Sequence, residues 1–176
     1  NSSDPVVIRG LAFSGFSNAA INLSGGRNAI VAGNRTGGTI NGIVLAANGT
    51  AVFLGAAATN ATIGGPDPAS RNFFNGSVNA GVQLASGTPL NQVIGNYIGV
   101  GWSGAHIGQG NGGVGVLMKG PFNTVARNLV GFNGGTGILL EGGSAHDNEI
   151  RHNQIGVDGD DNDLGNGAAG MKMLAD

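Results

Sequence analysis

The acidic side chains are the first residues in this chain that could do chemistry, and they are sparse. Of 176 residues only ten are Asp or Glu, and the two glutamates are Glu141 and Glu149. Hydrolysis of a polysaccharide needs two carboxyl groups flanking one bond, one of them as the acid. No pair of acids recurs at matching positions of neighbouring repeats. The pattern therefore favours a function without catalysis, and no residue is predicted to be catalytic.

The nearest approach to an acid–base site is the segment around Glu149. Arg151 and His152 follow it, and Arg127 and His146 precede it. A histidine that titrates beside charged groups is able to act as a general acid or base. A solvated outer face has the same composition, and this second interpretation is the favoured one.

One acidic run, residues 158–163, carries the oxygen donors that calcium prefers. Asp158, Asp160 and Asn162 stand at alternate positions, which suits Ca²⁺ coordination. The run is not an EF-hand loop, because Asp163 occupies the place of the required glycine and Ala169 that of the bidentate glutamate. The favoured interpretation is a polar loop that binds nothing, so no cofactor is predicted. The alternative is a calcium site.

The single tryptophan and the single tyrosine are candidates for a contact with a sugar or a partner. These residues are Trp102 and Tyr97. An exposed aromatic ring offers a flat apolar face with a polar edge, which suits both kinds of ligand. The alternative for Trp102 is that its ring covers the core beneath its own loop.

The composition excludes several classes of protein. Charged residues make up 10% of the chain, against about 25% in an average soluble protein. The net charge is −2, and the eight Lys and Arg are scattered, so no nucleic-acid partner is predicted. No apolar run reaches the roughly 18–20 residues of a membrane-spanning helix. The apolar residues recur at regular positions, which argues against disorder.

The elements that must position these side chains are short repeats that begin and end with asparagine. The clearest copies are residues 91–96, 123–128 and 148–153. Repeats of this kind predict a solenoid, in which each turn of the chain stacks on the previous one. Stacked amides hydrogen-bond along the axis of such a stack. The predicted interior ladder consists of Asn34, Asn72, Asn96, Asn128 and Asn153. The alternative is that these residues only supply turn conformations.

The third strand of each repeat predicts the core. Because side chains alternate between the two faces of a strand, two inward columns result. The first column is Ile43, Val82, Val116, Ile138 and Met171, and the second is Leu45, Leu84, Met118, Leu140 and Met173. Val44, Leu117 and Leu139 then point outward, and residues 46–59 form an excursion after the second repeat. Lys119 and Glu141 are predicted to pair on neighbouring repeats.

The spacing of Asn, Ile and Gly in these repeats resembles the parallel β-helix repeats of secreted bacterial proteins. Asn-x-Ile-Gly and Gly-Asn-Gly-x-Gly-Val-x-Ile elements recur in that family, and the similarity covers nearly the whole chain from Val6 to Leu174. It implies an all-β, single-stranded, right-handed parallel β-helix of about six rungs of three short strands, formed by residues 1–176 as one domain without a cap. It also implies an extracellular or cell-surface location, and commonly a carbohydrate partner.

Two functions are compatible with this fold, because fold alone does not choose among its uses. The first is a structural rod, a fibre protomer or surface stalk. Pro5 directly precedes the first strand and the last strand ends near Leu174, so we expect head-to-tail self-association or continuation of a longer solenoid. The second is a β-helix that binds or processes a polysaccharide, as a lyase, hydrolase or epimerase would.

Overall fold

The computed structural model describes residues 5–37, 46–104 and 110–174. In this part of the chain the protein is a parallel β-helix, with three parallel sheets that run side by side along one axis. Each rung contributes one strand to each sheet, and six rungs are stacked. The predicted all-β solenoid of six three-stranded rungs is thus confirmed.

The strands are numbered in chain order and are grouped here by sheet. The first sheet contains β1 (Val7–Arg9), β4 (Ile30–Ala32), β7 (Thr62–Gly64), β10 (Gln92–Ile94), β13 (Thr124–Ala126) and β16 (Glu149–Arg151). The second contains β2 (Ala12–Phe13), β5 (Arg35–Thr36), β8 (Phe73–Phe74), β11 (Tyr97–Ile98), β14 (Leu129–Val130) and β17 (Gln154–Ile155). The third contains β3 (Ala19–Arg27), β6 (Asn48–Thr59), β9 (Ser77–Leu84), β12 (Val114–Met118), β15 (Ile138–Glu141) and β18 (Met171–Leu174). A 3-10 turn, Pro68–Ser70, lies between β7 and β8.

The core is a stack of aliphatic side chains in register from rung to rung. In the third sheet one column reads Ile21, Val52, Val82, Val116, Ile138 and Met171, and the other reads Leu23, Leu54, Leu84, Met118, Leu140 and Met173. From the second to the fifth rung every member of both columns is buried. Each large aliphatic buried in this way stabilises the fold by roughly 1.5–3 kcal/mol.

In the second rung the residues of the two core columns differ from the predicted ones. Ile43 and Leu45 were expected in the two columns, but Val52 and Leu54 occupy those places in β6. Ile43 and Leu45, together with Val44, lie outside the described residues. The stretch interpreted as an excursion is therefore the longest strand of the helix. Val52 lies four residues after Asn48, and the pairing of β6 with β9 shifts register between Asn48 and Thr50.

The last rung continues both columns but leaves them uncovered. Met171 and Met173 pair in register with Ile138 and Leu140, yet their side chains are 51% and 64% exposed. A side chain in a solenoid is buried by the rungs on both sides, and here only one side is occupied. No helix in the described residues is long and apolar enough to cross a membrane.

Candidate functional site

The asparagines at the second corner of the β-helix, between the strands of the first and second sheets, form a continuous ladder of side-chain hydrogen bonds. The Nδ2 of each residue donates to the Oδ1 of the asparagine one rung further on. The ladder runs through Asn34, Asn72, Asn96, Asn128 and Asn153, with Nδ2–Oδ1 distances of 3.1, 2.8, 3.1 and 3.0 Å. The first four amides are buried. The sequence-predicted ladder residues thus lie directly over one another inside the fold.

Every amide of this ladder also holds the backbone in place. The backbone N–H of Asn96 donates to Oδ1 of Asn128 at 2.9 Å, and its Nδ2 donates to the carbonyl of Ile63 on the preceding rung at 2.8 Å. The same pattern recurs at Asn72 and Asn128. Each inner ladder residue therefore accepts from the preceding rung and donates to both neighbouring rungs, so the ladder has a direction.

Two further ladders, which were not predicted, lie at the other corners. The first corner comes directly before the strands of the first sheet, and the third corner lies between the strands of the second and third sheets. At the first corner the ladder joins Asn91, Asn123 and Asn148. At the third corner it joins Asn111, Asn133 and Asn166, with Nδ2–Oδ1 distances of 2.9 Å. A usable signal was present, because an Asn-Gly pair precedes the first inward core residue of β12, β15 and β18 by five positions.

The third-corner ladder is interrupted at Ser77, which pairs with Asn48 on the rung before. Ser77 is buried, and its Oγ finds no hydrogen-bond partner within the described residues. The backbone N–H of Ser77 still donates to Oδ1 of Asn111 at 3.0 Å. A serine here keeps the backbone contact but lacks the amide that would bond to the preceding rung.

The first rung has apolar residues at all three corners. Leu11 occupies the column of Asn34, and its backbone N–H donates to Oδ1 of that residue at 3.0 Å. Phe16 donates in the same way to Asn48 at 3.1 Å, and Val6 stands over Ala29 at the remaining corner. The three side chains Val6, Leu11 and Phe16 are 63%, 49% and 47% exposed.

On most rungs the residue before a ladder asparagine turns the corner with a left-handed backbone, whereas Arg71, before Asn72, has φ −61°. Arg127 and His152 precede Asn128 and Asn153, with φ values of 57° and 55°. On the fourth rung Gly95 has this role with φ 69°, and a Cβ there would overlap the carbonyl oxygen of Gly65. Arg127 and His152 thus share a position because of the turn, and both side chains are exposed.

The charged groups considered for acid–base chemistry form separate surface pairs. Glu149 binds the Nε of Arg151 at 2.9 Å, and His146 contacts Asp147 at 2.8 Å. The predicted pair between Lys119 and Glu141 is confirmed, with a distance of 2.8 Å. Exposed pairs of this kind contribute at most about 1 kcal/mol. Within the described residues no three His, Asp or Glu side chains come together in a metal-binding group.

The acidic run folds into a small loop organised by Asp158. Its Oδ1 accepts hydrogen bonds from the backbone N–H groups of Asp160 and Asn162 at 2.9 and 3.0 Å, and its Oδ2 accepts from Nδ2 of Asn162 at 2.9 Å. The Asn162 side chain, followed by its backbone N–H, holds the pKa of Asp158 below its ordinary value. This carboxylate is already surrounded by donors of its own loop. Calcium binding at Asp158, Asp160 and Asn162 stays a prediction.

The two aromatic candidates lie in different environments. Tyr97 is half-buried on the outer face of β11, where the guanidinium of Arg71 lies 4.1 Å from its ring centre and Phe73 meets it edge-on at 5.6 Å. Its ring also packs against the small apolar cluster of Val100, Leu129 and Leu164. Trp102 is 56% exposed on the loop after β11. A role in ligand contact stays a prediction for both.

The register and the ladders define the class of this protein, a parallel β-helix solenoid. Comparison with protein-family models, with curated proteins and with solved structures gives no significant match.

Proposed function

We propose that this chain is an extracellular structural β-helix, a fibre protomer or surface stalk that assembles by end-to-end stacking of rungs. The observation that carries the proposal is the exposure of Met171 and Met173 at the end of two otherwise buried columns. Apolar side chains that continue a core column are buried at once when a further rung covers them. The extracellular location follows from the resemblance to secreted β-helix repeats.

The backbone at this edge supports the same proposal. The strands β16, β17 and β18 are the outermost members of their three sheets. The outer edge of a strand presents a row of N–H and C=O groups, and such rows pair readily with another strand. A rung that stacks here satisfies three strand edges and covers two core columns in one step.

The outer face of the third sheet offers a surface for lateral contact between rods. Its outward column contains Phe53, Leu117 and Leu139, which are half-buried, together with Gln83. Val44, which the sequence analysis assigned to this surface, lies outside the described residues. Side-by-side packing through this column bundles rods, whereas stacking of rungs lengthens them.

Sedimentation velocity over a wide concentration range, combined with negative-stain electron microscopy, tests the stacking. We expect rods that lengthen with concentration, and we expect the double variant Met171→Glu/Met173→Glu to stay monomeric because it places charge on the columns. The matched control is Lys172→Glu, since Lys172 lies between the two methionines on the outward face. Equal masses for the wild type and the double variant at every concentration, or association that stops at a dimer, would contradict the proposal.

A carbohydrate-binding function is the second candidate, favoured by the exposure of Trp102. An indole ring stacks on the apolar face of a sugar. Because Trp102 is the single tryptophan of the chain, its fluorescence reports binding directly. Titration with acidic and neutral oligosaccharides is expected to shift the emission, and Trp102→Ala to abolish retention on a glycan array. Unchanged emission across the set removes this candidate.

A further inference from the structure

The three ladders end at the last rung with hydrogen-bond donors that all point the same way. On every inner rung of the second corner the backbone N–H and Nδ2 of a ladder asparagine both donate to one Oδ1 on the next rung, as Asn128 does to Asn153 at 2.9 and 3.0 Å. Asn91 and Asn133 make the same pair of hydrogen bonds at the other two corners. At the last rung Asn148, Asn153 and Asn166 have no such amide oxygen beyond them among the described residues. Among the described residues, each of these three corners therefore has a backbone N–H and an Nδ2 hydrogen that point outward without an acceptor.

The other side of these three residues is fully engaged. Their Nδ2 groups donate back to the carbonyls of Gly120, Val125 and Val130 at 3.0, 2.8 and 3.3 Å, and their Oδ1 atoms accept from the preceding ladder residues. The amides are therefore held in place and cannot turn to satisfy the outer donors among themselves. What the edge lacks is an oxygen acceptor at each of three fixed corners.

The first rung of the same chain does not supply these acceptors. Its corner residues are Val6, Leu11 and Phe16, whose side chains contain no oxygen. If the last rung of one copy stacked on the first rung of another, the donors at Asn148, Asn153 and Asn166 would face these three apolar side chains. Buried donors without a partner are strongly unfavourable. The register would also place Arg151 of one copy over Arg9 of the next, which brings like charges together.

We propose that the edge formed by β16, β17 and β18 is specific for a β-helix rung that carries asparagine at all three corners, and that the chain's own first rung is a poor partner. This inference rests on the proposed end-to-end stacking and identifies the rung that the edge prefers, so that rods of the wild-type chain alone are expected to form only at high protein concentration. The amide oxygens of such a rung accept both donors at each corner, and its Nδ2 groups return a bond to the carbonyls of the last rung. The same geometry that joins Asn96 to Asn128 then continues across the junction.

The test converts the first rung into the proposed partner. The triple variant Val6→Asn/Leu11→Asn/Phe16→Asn is compared with the triple alanine variant and the wild type, by measuring the protein concentration at which half of the chain is assembled. We expect the asparagine variant to assemble at a concentration at least about tenfold lower than the wild type, a change that corresponds to about 1.4 kcal/mol. The alanine variant controls for the loss of the apolar side chains and is expected to bring no such gain.

Folding of the first rung is checked separately, so that a failed variant is recognised. Hydrogen exchange of the backbone N–H of residue 11, which is bonded to Asn34 in the wild type, reports whether the rung is intact. The single substitutions Leu11→Asn and Leu11→Ala repeat the comparison with the smallest change. Equal assembly of the asparagine and alanine variants would overturn this inference while leaving rung stacking in place. If no variant and no wild-type sample assembles at any concentration, stacking itself fails.

Discussion

The Oδ1 of Asn96 accepts two hydrogen bonds from Asn72, one from the backbone N–H at 3.2 Å and one from Nδ2 at 2.8 Å. Both residues are buried. The Nδ2 of Asn96 in turn donates to the carbonyls of Ile63 and Ile94 and to Asn128. One side chain thus connects three successive rungs at a place that water does not reach.

Replacing Asn96 with alanine is therefore expected to destabilise the protein by at least about 2 kcal/mol, because it leaves the buried N–H of Asn72 without an acceptor. Urea unfolding followed by circular dichroism measures the change. The control is Asn79→Ala, since Asn79 is exposed on β9, and we expect a change within about 0.5 kcal/mol. Equal losses for the two variants would show that the ladder amide has no special role.

The interrupted third-corner ladder predicts a stabilising substitution at Ser77. An asparagine there would accept from the N–H of Asn48 and donate to Oδ1 of Asn111, which joins two ladder segments that are now separate. We expect Ser77→Asn to add about 1–2 kcal/mol and to raise the Tm by roughly 2–4 °C per kcal/mol. Differential scanning calorimetry gives the value.

Alanine is the matched control at this position. Ser77→Ala removes a hydroxyl that has no partner among the described residues, so it is expected to be close to neutral. A lower Tm for Ser77→Asn than for Ser77→Ala would mean that the amide does not fit between Asn48 and Asn111.

The assignment of β6 to the core predicts the effect of shortening Leu54. This side chain is fully buried between Leu23 and Leu84 of the neighbouring rungs. Leu54→Ala should cost about 2–5 kcal/mol, since it leaves a cavity in a continuous column. The control is Leu90→Ala, because Leu90 is 55% exposed at a corner and its truncation leaves no buried cavity. A cost for Leu54→Ala as small as that for Leu90→Ala would remove β6 from the core.

The loop organised by Asp158 is expected to loosen in acid. The hydrogen bonds from Asn162 and Asp160 favour the charged carboxylate, so the folded-state pKa lies below the ordinary value of 3.8. A depressed pKa means that the contribution to stability is complete above pH 3.8 and is lost as the pH falls through the folded-state pKa. The backbone amide signal of Asn162 in NMR should therefore shift with a midpoint below pH 3.8.

Two variants define this pH dependence. Asp158→Asn is expected to remove the transition at Asn162, because the neutral amide does not titrate. Asp160→Asn is expected to keep it, since the structure uses only the backbone N–H of Asp160 to hold Asp158. A midpoint at or above 3.8 in the wild type would contradict the assigned hydrogen bonds.

The repeats made the solenoid and much of its interior predictable from the sequence. A ladder residue such as Asn128 was identifiable because each rung repeats the same local choice, an asparagine at a corner before a short apolar strand. The core column that contains Val82, Val116 and Ile138 was predictable as well, because side chains alternate between the two faces of any strand. Because similar rungs stack on one another, a local sequence pattern also determines which residues contact each other between rungs. Few long-range contacts were therefore left to the tertiary structure.

The tertiary structure decided what the repeat pattern left ambiguous. Ile43 and Val52 both lie in short apolar runs, and only the register against Ile21 and Val82 selects Val52 for the core. The direction of the ladders is likewise invisible in the sequence, because an asparagine offers donors and acceptors on both sides. Whether Asn153 ends with unsatisfied donors depends on which neighbours its amide already binds. That is a property of three-dimensional packing, and it makes the two ends of the rod chemically different.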